Sequence, residues 1–173
     1  WRQTLHRFID FDRLAQTDKQ VLVAATEIEA EDLRLFDNQT ASLSPDHILA
    51  SCSIPLLYPW TQVEGAHYWD GAVMANTPLG AAIDAGADEV LVVLLSPIGQ
   101  QEIERPRWPW DAFAVMLDLA LSATFENDWK QLHLVNQLVD AGLDEKHRSV
   151  EGHLVTPSEG TGLVRILHYD PEV

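Results

Sequence analysis

Asp70 stands among apolar neighbours, with Tyr68 and Trp69 before it and Gly71, Ala72 and Val73 after it. The nearest Lys or Arg along the chain is too distant to make the carboxylate half of a local ion pair. An unpaired charge is costly to bury, so such a residue either turns out to solvent or is kept for chemistry that needs a carboxylate in a dry cleft. Asp followed by Gly is a common turn signal, and from spacing alone the turn is the commoner reading. Desolvation beside Tyr68, Trp69 and Ala72 would raise the carboxyl pKa and make Asp70 a better general base.

The other chemistry-bearing residues offer less. Ser51 and Ser53 precede Asp70, but neither lies in a Gly-x-Ser-x-Gly elbow, and no such elbow occurs between Trp1 and Val173. Both serines read as helix-end hydroxyls. A Ser-His-Asp triad needs a histidine between acid and nucleophile, and His67 is the nearest of the 7 histidines. On a strand, residues three apart point to opposite faces, so His67 and Asp70 are not expected to converge. The same pair read as metal ligands lacks a third member, so no metal is assigned. Cys52 is the sole cysteine, which permits no internal disulfide. In an apolar helical setting without a basic neighbour it reads as a packed, unreactive thiol.

The elements that must position these residues follow from patterning. Arg2 to Leu14 places Leu5, Phe8 and Ile9 on one side of a short helix, or of a helix and turn. Val21 to Thr26 is a continuous apolar run of strand length, the look of a strand buried on both faces of a parallel sheet. Asp32 to Gln39 holds a second strand, with Leu33, Leu35 and Phe36, followed by a polar loop. Ser44 and Pro45 start a helix that runs through Ile48, Leu49 and Cys52 and ends before Pro55. A loop with Pro59 and Gly65 then leads to a short strand, His67 to Trp69, ending at Asp70.

Thr77 as cap and Pro78 as first residue open a helix over Leu79 to Ala85, closed by Gly86 in the left-handed region. Val90 to Leu95 is another apolar strand, and strand, helix and strand in this order predict a βαβ unit with Asp70 at a strand end, where open α/β sheets bind ligands. Ile98 to Pro109 reads as a surface loop. From Trp110 to Val139, Phe113, Leu117, Leu121, Trp129, Leu132 and Leu138 recur at helical spacing, predicting one long helix or two with a bend near Asn127, ended by Gly142. Val150 to Thr156 and Leu163 to Tyr169 read as short strands around a loop with Gly160 and Gly162, which lacks the Lys and Ser or Thr of a phosphate loop.

Composition narrows the class. The chain has 173 residues, within the ~100–200 typical of one domain, and 46% hydrophobic residues suffice for a core. Eleven Lys and Arg against 27 Asp and Glu give a net charge of −16, which repels polyphosphate and argues against nucleic acid as a partner. No apolar run approaches the ~18 residues of a membrane span. The chain begins at Trp1 without an initiator Met or a leader pattern, so an internal or trimmed segment is expected. Cytoplasmic, or peripheral to a membrane, is the simplest location.

The ordered set Ala50, Ser51, Ser53, Ile54 and Pro55, then Tyr58 and Pro59, Gly65, Tyr68, Trp69, Asp70, Gly71 and Ala72, and finally Asn76, Thr77 and Pro78 resembles the patatin-like phospholipases. The resemblance is strongest over residues 8–95, with 108–173 as a helical and short-strand extension. It implies an α/β fold: a three-layer α/β/α sandwich with a mainly parallel sheet, of which 1–173 would be the carboxyl-terminal part of a single domain incomplete at its N-terminus. It also implies a Ser-Asp dyad that cleaves acyl esters of phospholipids or related lipids, with no metal or organic cofactor and with transient contact at a membrane surface.

Only Asp70, with Gly71 and Ala72 completing the Asp-Gly-Ala motif, matches that dyad. Gly71 would let the backbone turn close to the serine, and Asn76 would bond the loop behind Asp70. The serine elbow and the Gly-rich oxyanion loop are expected upstream, so the segment alone is expected to be inactive. A non-catalytic acidic binding or regulatory module on the same scaffold is the alternative.

Overall fold

A computed structural model describes residues 1–94, 105–143, 149–157 and 164–167. The chain forms two compact units, Trp1–Asn76 and Thr77–Val173. Both mix helices with strands.

The first unit opens with α1 (Arg2–Phe8) and α2 (Phe11–Gln16), the latter capped by the Asp10 carboxylate, which accepts from the Arg13 N–H at 3.0 Å. The apolar run then forms β1 (Leu22–Glu27), followed by β2 (Asp32–Asp37). Between β1 and β2 the turn places Glu31 at φ 52. After α3 (Pro45–Ala50) come β3 (Thr61–Val63) and β4 (Ala66–Asp70), joined by Glu64 and Gly65 at φ 50 and 93. Two successive left-handed residues make the tight turn that suits a right-twisted hairpin.

The four strands lie in the order β2-β1-β4-β3, and every pairing is antiparallel. The parallel sheet expected around β1 is therefore not the one formed. The connections decide it, because a parallel crossover needs about a dozen residues and those between β1 and β2 and between β3 and β4 are far shorter. One face of the sheet packs against α3, with Ala25, Ala50, Val63 and Tyr68 buried together and Phe36 and Ala66 at their edge.

Two polar residues hold this unit. Asn38, buried after β2, accepts from the Val21 N–H at 2.7 Å and donates to the carbonyls of Leu14 and Lys19, both at 3.0 Å. It thereby ties the end of α2 and the segment before β1 to the hairpin. His47, buried in α3, accepts the Ser44 N–H at 3.0 Å and stacks edge-on to Phe36. Ser44 and Pro45 open the helix as their types require.

The second unit begins with α4 (Leu79–Asp84). Pro78 rather than Thr77 is its N-cap; Thr77 contributes its carbonyl, which accepts from the Leu79 N–H at 2.7 Å. Gly86 closes the helix at φ 90, as expected of the left-handed position. Next come β5 (Glu89–Val93), the unbroken 32-residue α5 (Pro109–Asp140), β6 (Glu151–Pro157) and β7 (Val164–Leu167). The Asp111 carboxylate accepts the N–H groups of Arg107 and Trp108, fixing where α5 starts, and Gly142 ends it at φ 69.

β5 pairs parallel with β6, and β6 antiparallel with β7. The parallel unit is thus β5-α5-β6. The expected β4-α4-β5 unit does not form, since β4 and β5 belong to different sheets. Phe125, Trp129 and Leu132 of α5 bury against Val90, Val92 and Leu154. Trp129 lies so close over Gly152 that a Cβ there would stand 2.7 Å from the ring. Asn136 exchanges two hydrogen bonds with the backbone of Val150, which sets the start of β6 against the helix. β5 buries only alternate residues, Leu91 and Val93 each being 62% exposed, so it is not the strand covered on both faces that its composition predicts. Residues 95–104, and with them most of the expected surface loop, lie outside the described residues, as do Gly160 and Gly162.

Candidate active site

Asp70 is the last residue of β4 and pairs in register with Ala25 of β1. Its backbone is held on both sides: its N–H donates to the Ser53 carbonyl at 3.0 Å, and its carbonyl accepts from the Thr26 hydroxyl at 3.0 Å. The chain then enters a single 3-10 turn, Gly71–Val73, and Asp70 caps that turn, Oδ1 accepting the Ala72 N–H at 2.9 Å. The two readings available from the sequence therefore meet in one residue. Asp70 is a turn residue, and it is also half-buried.

The electrostatic balance follows from that position. Burial pushes the Asp70 carboxyl above the ordinary aspartate range, and the Ala72 N–H, which favours the charged form, offsets this only in part. Oδ2 receives no hydrogen bond from any described residue, yet no described buried side-chain oxygen lacks a partner, so this atom reaches the surface. One oxygen is fixed and the other is open. A carboxylate so arranged can take a proton from a group brought to Oδ2 without losing the bond that orients it.

Gly71 has a definite physical role. A Cβ at this position would lie 2.5 Å from the Ala24 carbonyl oxygen and 2.7 Å from its carbon, both backbone atoms of β1. Only glycine lets the turn after Asp70 press against the strand beneath it. The need arises from this packing inside the unit, a cause that the Asp-Gly pair alone did not reveal. Ala72 supplies the capping N–H.

The remaining candidates separate cleanly. Ser53 is buried; its hydroxyl donates to the Leu49 carbonyl at 2.7 Å and shares a 2.9 Å hydrogen bond with the Thr61 hydroxyl, as befits a helix-end residue. Ser51 is the C-cap of α3. His67 engages Glu29, through its ring Nδ1 to one carboxylate oxygen and its backbone N–H to the other, rather than Asp70. That contact holds the Glu29 carboxyl below its usual range. Among the described residues, no group of three or more His, Cys, Asp or Glu could hold a metal ion. Cys52 is exposed, contrary to the packed thiol expected, and lies beyond the end of α3 at Ala50 rather than within the helix. Partial burial pushes its thiol up, and the Asp70 carboxylate pushes it further. Thr26 and the Ser53 carbonyl, which position Asp70, carry no signal in the sequence, since each becomes its neighbour only when strands pair.

Residues 1–83 match the family model of the patatin-like phospholipases. The patatin match contains Asp70, Gly71 and Ala72 together with the strands and helix that hold them, and it ends within α4. Patatin-like enzymes act on lipid acyl esters, and a mixed α/β architecture is consistent with their fold. No curated protein matches the chain. No helix among the described residues is long and apolar enough to cross a membrane.

Proposed function

We propose that this chain is part of a serine acyl hydrolase of the phospholipase or lysophospholipase type, in which Asp70 is the base of a Ser-Asp dyad. The observation that carries the reading is the half-buried Asp70 carboxyl, raised by burial, with Oδ1 bonded to the Ala72 N–H and Oδ2 open. As the serine attacks the acyl carbonyl, Oδ2 takes the Oγ proton. It returns that proton to the departing alcohol, leaving an acyl-enzyme, then draws a proton from the water that attacks this ester and gives it to the serine Oγ as the fatty acid leaves. Gly71 and Ala72 support the motif, the first by close packing and the second by its N–H. No metal or organic cofactor takes part.

The serine is supplied from outside these 173 residues, because no Gly-x-Ser-x-Gly sequence lies within them. As the complete fold we propose the three-layer α/β/α sandwich of the family, to whose carboxyl-terminal part both units contribute. The same missing elbow favours a second reading, an inactive patatin-like scaffold serving as an acidic binding or regulatory module.

Ester hydrolysis tests the assignment. The purified chain should match the buffer rate with a short-chain ester and should not be labelled by a fluorophosphonate. Turnover that Asp70→Asn abolishes would place the nucleophile inside the chain and overturn the division of the site. In a longer polypeptide that supplies the elbow, Asp70→Asn should lower kcat by about 10²–10⁴-fold. An inactive longer polypeptide would favour the scaffold reading.

A further inference from the structure

The residues 48–63 carry no charged side chain, although 22% of the chain is charged. In the structure this stretch leaves α3, projects as a loop and returns as β3. Leu56 is 75% exposed, Leu57 60%, Tyr58 52% and Trp60 59%. A contiguous run of large apolar side chains facing water marks a surface made to be covered. Leu56 also sits at φ 69, where a bulky side chain is strained, so the loop holds a leucine outward at a conformational cost.

Three further features fit the loop to an apolar environment. Most of its amide positions are accounted for from within: Ile54 donates to Cys52, Leu57 and Tyr58 both donate to the Ile54 carbonyl, and Pro55 and Pro59 have no N–H to satisfy. An unpaired amide is what a hydrocarbon boundary penalises most. The base of the loop is closed by the hydrogen bond between the Ser53 and Thr61 hydroxyls, so the tip projects from a fixed stem. Both stem residues are tied to β4, Ser53 through its carbonyl to the Asp70 N–H and Thr61 through its pairing with Tyr68. The apolar tip is therefore built onto the strand that carries Asp70.

We propose that the loop spanning Ile54 to Trp60 docks on an uncharged, zwitterionic lipid surface, with Leu56 and Leu57 entering the acyl boundary and Tyr58 and Trp60 resting at headgroup level. Charge selects this occupant. A net −16 opposes both an anionic membrane and a second copy of the same chain, whereas an uncharged loop meets no electrostatic barrier at a neutral interface. Leucines ahead of a tyrosine and a tryptophan are the side chains that partition in that order across the interface. The proposal deepens the acyl hydrolase reading and rests on it for its purpose, since docking here brings lipid esters to the strand end where Asp70 lies.

Flotation of the full chain with phosphatidylcholine vesicles is the test. The chain should float with them, and Leu56→Asp combined with Leu57→Asp should lower partitioning by about tenfold or more, given the transfer cost of charged against leucine side chains. Both sites are exposed, and aspartate tolerates a left-handed backbone better than leucine, so folding should survive. Trp60→Ala, which adds no charge, should weaken binding in the same direction. Adding phosphatidylserine should weaken it as well. Asp70→Asn should leave flotation unchanged, which separates docking from catalysis: loss of turnover with intact flotation would touch only the dyad. Absence of flotation, or equal flotation of the aspartate variants, would overturn the proposal. So would a native dimer that those variants convert to a monomer, since the loop's partner would then be a second copy.

Discussion

The two carboxylate oxygens of Asp70 differ in their surroundings, and that difference has a measurable consequence. Because burial raises its folded pKa, the native state holds the proton more tightly than the unfolded chain. The stability so contributed is fully present below the unfolded value, about 3.9, and is lost as pH rises through the folded value. At neutral pH the ionised, half-buried carboxylate therefore opposes folding, while its neutral isostere can still accept the Ala72 N–H. Asp70→Asn should raise the melting temperature at pH 7, and the gain should fade as pH falls through the folded value and be gone below about pH 4. Thermal melts of both proteins across this range check it; an Asn variant less stable at pH 7 would show that the charge is compensated. The sequence marks Asp70 by its isolation among apolar residues. That it caps a turn while half-buried depends on Ser53 and Thr26, brought to it by other elements.

At the scale of elements, the turn Gly71–Val73 is pressed onto β1 so closely that position 71 has no room for a side chain. Gly71→Ala should cost about 1–3 kcal/mol, the usual penalty of forcing an extra carbon into packed backbone. It should also displace the Asp70 carboxylate, because Ala72, which donates to it, moves with the turn. Chemical denaturation measures the first effect and NMR titration of Asp70 the second; a stability loss below about 0.5 kcal/mol would mean that β1 yields easily. Element types were legible from local patterning: strands at β1 and β5, helices opened by Ser44-Pro45 and closed by Gly86 and Gly142. Strand direction was harder. The apolar run of β1 suggested a parallel sheet, yet its antiparallel pairing with β2 follows from a connection too short to cross over.

At the scale of the molecule, an excess of 16 negative charges acts against compactness as well as against anionic partners. Added salt should screen this repulsion, so the melting temperature at pH 7 should rise between low and moderate sodium chloride, most steeply where the Debye length falls below about 10 Å. A salt-independent melt would show the charges too dispersed to matter. Charge, the uncharged stretch between Ile48 and Val63, the isolation of Asp70 and the order of the Asp-Gly-Ala motif are properties of the chain itself, readable because they need no partner. Three things came only from tertiary structure. β4 and β5 lie in separate sheets; the His67 ring finds Glu29 as its partner; and Leu56, Leu57 and Trp60 stay exposed while Val63 is buried. Each depends on which distant segments pack together, and local spacing carries no information about a neighbour that sequence places tens of residues away.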